Sequence, residues 1–235
     1  MKIISFVLMV CCVSIMGFAN INDNVVVLQY DKDINGLHIE VLWKPKYSKN
    51  GFVEGPAIIQ LTNIKEGGVS TLTNNNFAFP KERTKKFIKL KNYESTSSVI
   101  ESITNNVVSL EYTYPKVKTN ECDFGTDEEP FFFYDVDFDG QKELLIVEIG
   151  KGQRWRNTFK AYKIVEDQVY DVLEDDFHQI TYKEPFVFFD SASTVNAETE
   201  TIEINWSCGA RHSFTDIYIK EFDPSAYDFV FKKIK

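Results

Sequence analysis

The chain has little histidine or cysteine, and it lacks the short motifs that mark several large classes of enzyme. Its 235 residues include three histidines and four cysteines. No two histidines have the close spacing that a zinc site requires. There is no Gly-x-Ser-x-Gly nucleophile elbow, no phosphate-binding loop and no dinucleotide-binding fingerprint. These absences favour a protein that is not an enzyme.

The chain also lacks an excess of basic residues. It has 26 Lys and Arg against 35 Asp and Glu, which gives a formal net charge of −9. Proteins that bind nucleic acid carry a basic footprint that neutralises phosphates. Anionic lipid surfaces attract the same positive charge. We therefore expect neither nucleic acid nor an anionic membrane surface as a partner.

A long apolar run occurs at the start of the chain. Lys2 supplies a positive charge, and residues 3–18 are apolar apart from two serines. Small residues precede Asn20 at the positions used for cleavage, which predicts a signal peptide over residues 1–19. The run is too short for a confident membrane span. The expected product is a single all-β domain over residues 20–235, periplasmic or secreted, with no integral membrane span.

Cysteine usage leaves two questions open. Signal cleavage would remove Cys11 and Cys12, although either could instead carry the lipid of a lipoprotein. The residues before them are not the small ones expected in that case. Cys122 and Cys208 would remain, and they can form a disulfide in an oxidising compartment. The alternative is two buried free thiols, because sequence does not give the required geometry.

Short apolar and alternating runs predict an all-β fold of mainly antiparallel strands. The chain has 20 Phe and 11 Tyr, and aromatic residues favour sheet. Ile202, Ile204 and Trp206 alternate with polar residues, as in a half-buried strand. Glu166 and Asp167 predict a hairpin turn. The predicted strands cover residues 25–30, 37–43, 57–61, 87–90, 107–114, 131–134, 144–149, 159–165, 169–173, 186–189, 201–206, 214–219 and 227–231.

One segment has helical spacing. Residues 95–103 place Val99, Ile100 and Ile103 on one face of a short helix, with Ser or Thr available as an N-cap. Elsewhere, many short strands at regular spacing indicate a sandwich, a barrel or a propeller. No repeat of fixed period is present. Any propeller would therefore be degenerate, without identical repeats.

An aspartate-rich loop carries the most specific pattern in the chain. Residues 135–143 read Asp-Val-Asp-Phe-Asp-Gly-Gln-Lys-Glu. Carboxylates at alternate positions of a tight loop converge on one centre, and Ca²⁺ takes about six to eight oxygen ligands. A glycine at the sixth position permits the sharp turn. The predicted Ca²⁺ ligands are the side chains of Asp135, Asp137, Asp139 and Glu143 and the backbone carbonyl of Gln141.

The loop differs from an EF-hand. An EF-hand has helices on both sides and a bidentate Glu at its twelfth position, where this chain has Ile146. Apolar, strand-like segments flank the loop, so we expect it to join two strands. Repulsion between the close carboxylates also favours a bound cation. A structural role for the ion is expected, because no acid in the loop looks available as a general base.

Residues 131–149 resemble the FG-GAP/VCBS calcium loop, which connects two strands of a propeller blade. One such loop in an exported chain of this size further resembles a family of periplasmic β-propeller-like immunity proteins, and residues 156–162 fit the same pattern. The likeness does not extend to residues before 120. The resemblance implies a β-propeller-like protein that binds and inhibits a peptidoglycan hydrolase. The alternatives are an envelope glycan or peptide hydrolase, whose paired acids sequence alone does not locate, and a surface adhesin or carbohydrate-binding module.

Two further groups of residues are candidates for contacts or chemistry. Arg154, Trp155 and Arg156 form a polar loop of residue types that are enriched at binding hot spots. They are a predicted partner contact, although Trp155 covering the core is the alternative. Cys208 and His212 lie close in sequence and could in principle form a nucleophile and its base. A bridged Cys208 would exclude that role.

Overall fold

The computed structural model describes residues 25–49, 51–92, 98–104, 106–114, 121–123, 129–149, 157–165, 168–171, 185, 189, 192–208, 212–225 and 228–235. Strands make up most of them, which confirms the predicted all-β class. The predicted signal peptide lies outside these residues, and so do residues 186–188 of the predicted strand over residues 186–189. The elements are β1 (Val26–Tyr30), β2 (Leu37–Trp43), β3 (Tyr47–Lys49), β4 (Phe52–Asn63), β5 (Val69–Pro80), α1 (Lys81–Thr84), β6 (Ile88–Asn92), β7 (Ser98–Ile103), β8 (Val107–Leu110), β9 (Glu121–Asp123), β10 (Phe131–Tyr134), β11 (Glu143–Glu148), β12 (Thr158–Val165), β13 (Gln168–Asp171), β14 (Thr194–Asn196), β15 (Thr201–Cys208), β16 (His212–Asp223) and β17 (Asp228–Lys233).

The strands form three sheets. The first sheet has the order β6-β7-β3-β4-β2-β1-β8, with β5 also paired to β4. The middle sheet is a four-stranded meander, β10-β11-β12-β13, and the third sheet has the order β17-β16-β15-β14-β9. Neighbouring strands are antiparallel except for β1 and β8, which are parallel. The mainly antiparallel arrangement agrees with the prediction.

The middle sheet is buried on both faces, which explains its nearly continuous apolar sequence. Phe131, Leu144 and Ile146 contribute to a core shared with the first sheet. Phe132 and Leu145, on the opposite face, contribute to a second core that includes residues of the third sheet. Because side chains alternate along a strand, consecutive apolar residues supply both cores. The middle sheet therefore lies between the other two.

The predicted helix over residues 95–103 is wrong. Strand β7 occupies Ser98–Ile103 and pairs with β6 and β3, while residues 95–97 lie outside the described part. The register places Ile88 opposite Ile103 and Leu90 opposite Ile100, with an irregularity between these pairs. The extra residue in β7 lets two isoleucines three positions apart face the same core. A β-bulge therefore produces the spacing that resembled a helix.

Strands β12 and β13 form the expected hairpin. Val165 pairs with Gln168 and Ile164 with Val169, as a two-residue turn requires. The turn residues themselves lie outside the described part of the chain. Within the described residues, no helix is both long and apolar enough to cross a membrane.

Candidate metal centre

The aspartate loop connects the first two strands of the middle sheet. Strand β10 ends at Tyr134 and β11 begins at Glu143, and these two residues are register partners. The predicted strand-loop-strand arrangement is therefore present, with no helix on either side. The loop also contacts the third sheet, because the Phe138 ring lies 6.0 Å from the Phe231 ring, centroid to centroid.

Carboxylates fold the loop by accepting hydrogen bonds from its backbone amides. Asp135 Oδ1 accepts from the Asp139 amide at 3.2 Å, and Asp135 Oδ2 accepts from the Gly140 amide at 3.0 Å. The Asp139 amide also donates to Asp137 Oδ1 at 3.2 Å. Phe138 and Gly140 have φ angles of 60° and 86°, in the left-handed region. Glycine adopts this region without the steric cost of a Cβ atom.

Three of the predicted ligands come together. One carboxylate oxygen from each of Asp135, Asp137 and Glu143 lies within 4.8 Å of the other two. Asp137 is 4% exposed and Glu143 is 1% exposed. Among the described residues, no other group of three or more His, Cys, Asp and Glu side chains has this geometry.

Glu143 has one oxygen that is bonded and one that is not. Its Oε2 accepts from the Val136 amide at 2.9 Å. Its Oε1 is buried and has no hydrogen-bond donor among the described residues. Buried acceptors are normally paired, and leaving one unpaired is unfavourable. An unpaired carboxylate oxygen beside two other carboxylates fits a hard cation, since such cations prefer oxygen ligands.

Asp139 and Gln141 are placed differently from the other predicted ligands. The Asp139 carboxylate forms an ion pair with Lys163 of β12, and it is not part of the group of three. The Gln141 amide donates to Asp139 Oδ1 at 2.8 Å. The structure therefore groups three of the four predicted carboxylates and directs the fourth towards a lysine.

Burial raises the pKa values of the loop carboxylates, and the Lys163 ammonium group opposes this shift. Burial raises the pKa of Glu143 to about 8, with a further contribution from the charge of Asp137. Burial also raises the pKa of Asp137, in spite of its hydrogen bond from Lys163. Burial alone would raise the pKa of Asp139, but the Lys163 hydrogen bond and the Gln141 amide lower it overall. Three carboxylates thus lie near the Lys163 ammonium group, and Lys220 makes only a smaller contribution at Asp137.

Sequence reasoning missed Lys163, which is the main positive charge at the loop. Its Nζ donates to Asp137 Oδ2 at 2.7 Å and to Asp139 Oδ2. Burial opposes the charge of Lys163, but its bonds to the two aspartates raise its pKa above the ordinary value. Because Leu144 pairs with Tyr162, the next residue of β12, Lys163, lies level with the end of the loop. The predicted strands contained Lys163, but no local pattern gave their register.

The other predicted site residues fall in two groups. Arg154, Trp155 and Arg156 lie outside the described residues.

The two cysteines lie far apart in the third sheet. Cys122 is opposite Val195, which is opposite Ile202, six residues before Cys208. At roughly 3.3 Å per residue the two cysteine positions are about 20 Å apart along the strand direction. A disulfide needs Cα atoms within roughly 7 Å, so it would require a different pairing of these strands.

A second buried carboxylate, also missed from sequence, joins the first and middle sheets. Glu129, just before β10, is 5% exposed. Its Oε1 accepts from Arg83 of α1 and from the Thr113 amide, the latter at 2.9 Å, and its Oε2 accepts from Tyr30 Oη at 3.4 Å. Burial raises the pKa of Glu129 although Arg83 opposes the shift. Both carboxylate oxygens of Glu129 accept hydrogen bonds from protein groups, which is typical of a structural ion pair.

Comparisons with known proteins give a fold relationship. No protein-family model matches the chain, and no curated protein matches it either. In fold it is similar to a solved structure described as "Structure of a Xanthomonas Type IV Secretion System related protein". The TM-score is 0.51 at 10% sequence identity, and the match covers 91% of this chain and 82% of that one. At this identity the likeness concerns the fold alone.

Proposed function

We propose that the chain is an exported protein whose aspartate loop binds one Ca²⁺ ion as a structural element. The observation that carries the proposal is the buried, unpaired Glu143 Oε1 beside Asp135 and Asp137. Three carboxylates offer up to six oxygens, and water or backbone carbonyls can complete a Ca²⁺ shell of about six to eight. The donor set contains no sulfur or nitrogen, which disfavours zinc and copper.

The position of the loop supports a stabilising role for the ion. The loop joins two strands of the sheet that both hydrophobic cores share. Phe138, inside the loop, packs against the second core. An ion that binds only the folded chain stabilises it by mass action. Calcium would thus hold the middle sheet and the loop in one arrangement.

A thermal melt tests the calcium proposal. We expect Ca²⁺ at about 100 times its Kd to add about 2.7 kcal/mol to the free energy of unfolding. That corresponds to a rise in Tm of roughly 5–10 °C for a domain of this size. Excess chelator should remove the rise, and Mg²⁺ should reproduce little of it, because Mg²⁺ demands a near-octahedral shell. Equal melting temperatures in Ca²⁺ and chelator would contradict a structural calcium site.

The second part of the proposal is that this scaffold binds and blocks another protein, a peptidoglycan hydrolase. Its support is the resemblance of residues 131–149 to calcium loops of β-propeller-like immunity proteins. The description of the structural neighbour, which concerns a secretion system, suits a protein that acts at the cell envelope. The same resemblance suggests that the meander β10-β11-β12-β13 corresponds to one blade of a degenerate propeller.

Binding and inhibition are tested with the purified protein. Immobilised protein should retain a peptidoglycan hydrolase from an envelope extract, and the purified pair should show reduced hydrolysis of cell walls. Repeating the assay in chelator shows whether inhibition requires the bound ion. Failure to retain any hydrolase, together with undiminished activity of lysozyme-like enzymes, would reject the inhibitor role and leave the calcium site unaffected.

Export is tested by the N-terminus of the protein recovered from cells. Cleavage by signal peptidase would give a chain that begins at Asn20. A lipid attached to Cys11 or Cys12 would establish the lipoprotein alternative. An intact N-terminus in a cytoplasmic fraction would contradict export.

A further inference from the structure

Lys163 binds the same carboxylate that the proposed metal ion would use. Its Nζ lies 2.7 Å from Asp137 Oδ2 and also contacts Asp139 Oδ2. Lys163 is 22% exposed and Asp137 is 6% exposed at the side chain, so water screens the pair only partly. Asp137 is therefore shared between an ammonium group and the group of three carboxylates.

The two cations cannot both interact freely with Asp137. A divalent ion held by Asp135, Asp137 and Glu143 would lie within a few ångströms of the Lys163 ammonium. Like charges at such a separation repel strongly where water screens them only partly. Asp139 adds a second effect, because its Oδ2 is already bonded to Lys163 and a metal ion would compete for it. Metal entry and the lysine contacts thus oppose each other.

We propose that Lys163 is an internal competitor that sets the affinity of the loop for a divalent cation, and that the ion displaces its ammonium group from Asp137 and Asp139. The inference rests on the proposed calcium site and adds the residue that tunes it. Without metal, Lys163 neutralises Asp137 and Asp139 and keeps the loop folded. With metal, the lysine side chain turns outward and Asp139 becomes available as a ligand.

Calorimetric titration with Ca²⁺ tests the competition. Lys163→Met should bind Ca²⁺ about tenfold more tightly than wild type, or better, within the range usual for coupling between two sites. Lys163→Arg keeps the charge and should stay close to wild type. Lys160→Met is the matched control, because it makes the same change in charge on β12, where Lys160 lies opposite Ile146, away from the loop. Circular dichroism establishes that each variant is folded.

The outcomes separate this inference from the calcium proposal. Tighter binding by Lys163→Met alone supports competition, and so does binding seen in that variant but not in wild type. Equal or weaker binding by Lys163→Met, with normal binding by wild type, overturns the inference and leaves the calcium site standing. Absence of saturable Ca²⁺ binding in both proteins overturns the calcium site and the inference together.

A second test of the displacement uses the wild-type protein alone. Limited acylation with an amine reagent, read by mass spectrometry, reports how accessible each lysine is. Lys163 should react slowly in chelator and several times faster in saturating Ca²⁺, because the ion frees its amine. Lys160 should react equally in both conditions. A Lys163 rate that is unchanged or lower in Ca²⁺ would overturn the proposed displacement.

Discussion

The backbone amide of Val136 donates to Glu143 Oε2 at 2.9 Å, across seven positions of the chain. This bond closes the aspartate loop and fixes Glu143 at the start of β11. The other oxygen of the same carboxylate, Glu143 Oε1, is buried and has no donor among the described residues. One side chain therefore closes the loop with one oxygen and keeps the other available to the proposed cation.

Replacing Asp137 by Ala should lower metal affinity and thermal stability together. The substitution removes one of three grouped carboxylates and also a partner of Lys163, so the Tm falls even in chelator. The decisive quantity is the rise in Tm that Ca²⁺ produces, which should shrink to a small fraction of the wild-type value. Asp31→Ala, at an exposed aspartate outside the loop, should keep the full rise. An unchanged rise in Asp137→Ala would show that the loop assignment is wrong.

Without metal, stability should fall as pH increases from about 5 to 8. The pKa of Glu143 is raised to about 8 in the folded chain, whereas an unfolded Glu titrates near about 4.3. Between these values the folded state holds the extra proton, so the free energy of unfolding decreases with pH by at most about 1.4 kcal/mol per unit. Urea denaturation in chelator measures this slope. Glu143→Gln should flatten it, and an identical slope in that variant would contradict the assignment.

Local sequence patterns predicted the strands that alternate clearly but not those with polar or irregular sequences. Strand β2 has the predicted bounds Leu37–Trp43, with its odd-numbered residues buried. Strand β5 was not predicted, because Ser70 and Asn74 occupy buried positions on either side of Leu72. Pairing with β4 holds this polar segment in the sheet. Such pairing between segments is not visible in either segment alone.

The candidate site shows the same division between local and distant information. Asp135, Asp137 and Glu143 lie within nine residues, so their spacing predicted that they would meet. Lys163 follows Asp137 by 26 positions and reaches it through the register of β11 and β12. That register depends on the packing of the whole middle sheet. The pattern of acids could therefore be recognised from sequence, whereas the cation that balances them could not.

Replacing Gly140 by Ala should weaken metal binding through the backbone. Its φ is +86°, and an added Cβ would meet no atom within 4 Å, so the cost is conformational strain alone. Left-handed backbone costs about 1–2 kcal/mol for a residue with a Cβ. Gly36→Ala is the matched control, because Gly36 has a φ of +79° and equally open surroundings. Both variants should lose similar stability in chelator, but only Gly140→Ala should lose Ca²⁺ affinity. Equal Ca²⁺ affinities in the two variants would show that the turn at Gly140 does not contribute to metal binding.

Removing Arg83 should be among the most destabilising surface changes in the chain. Arg83→Met leaves the Glu129 carboxylate buried without its charged partner, and breaking a buried pair in this way costs about 3–5 kcal/mol. Adding Glu129→Gln should restore much of the loss, because a neutral amide is less costly to bury. Lys85→Met removes an exposed pair with Glu82 beside α1 and should cost less than about 1 kcal/mol. Urea denaturation gives all four values. A small loss in Arg83→Met, similar to that in Lys85→Met, would show that Arg83 does not stabilise the junction between the first and middle sheets.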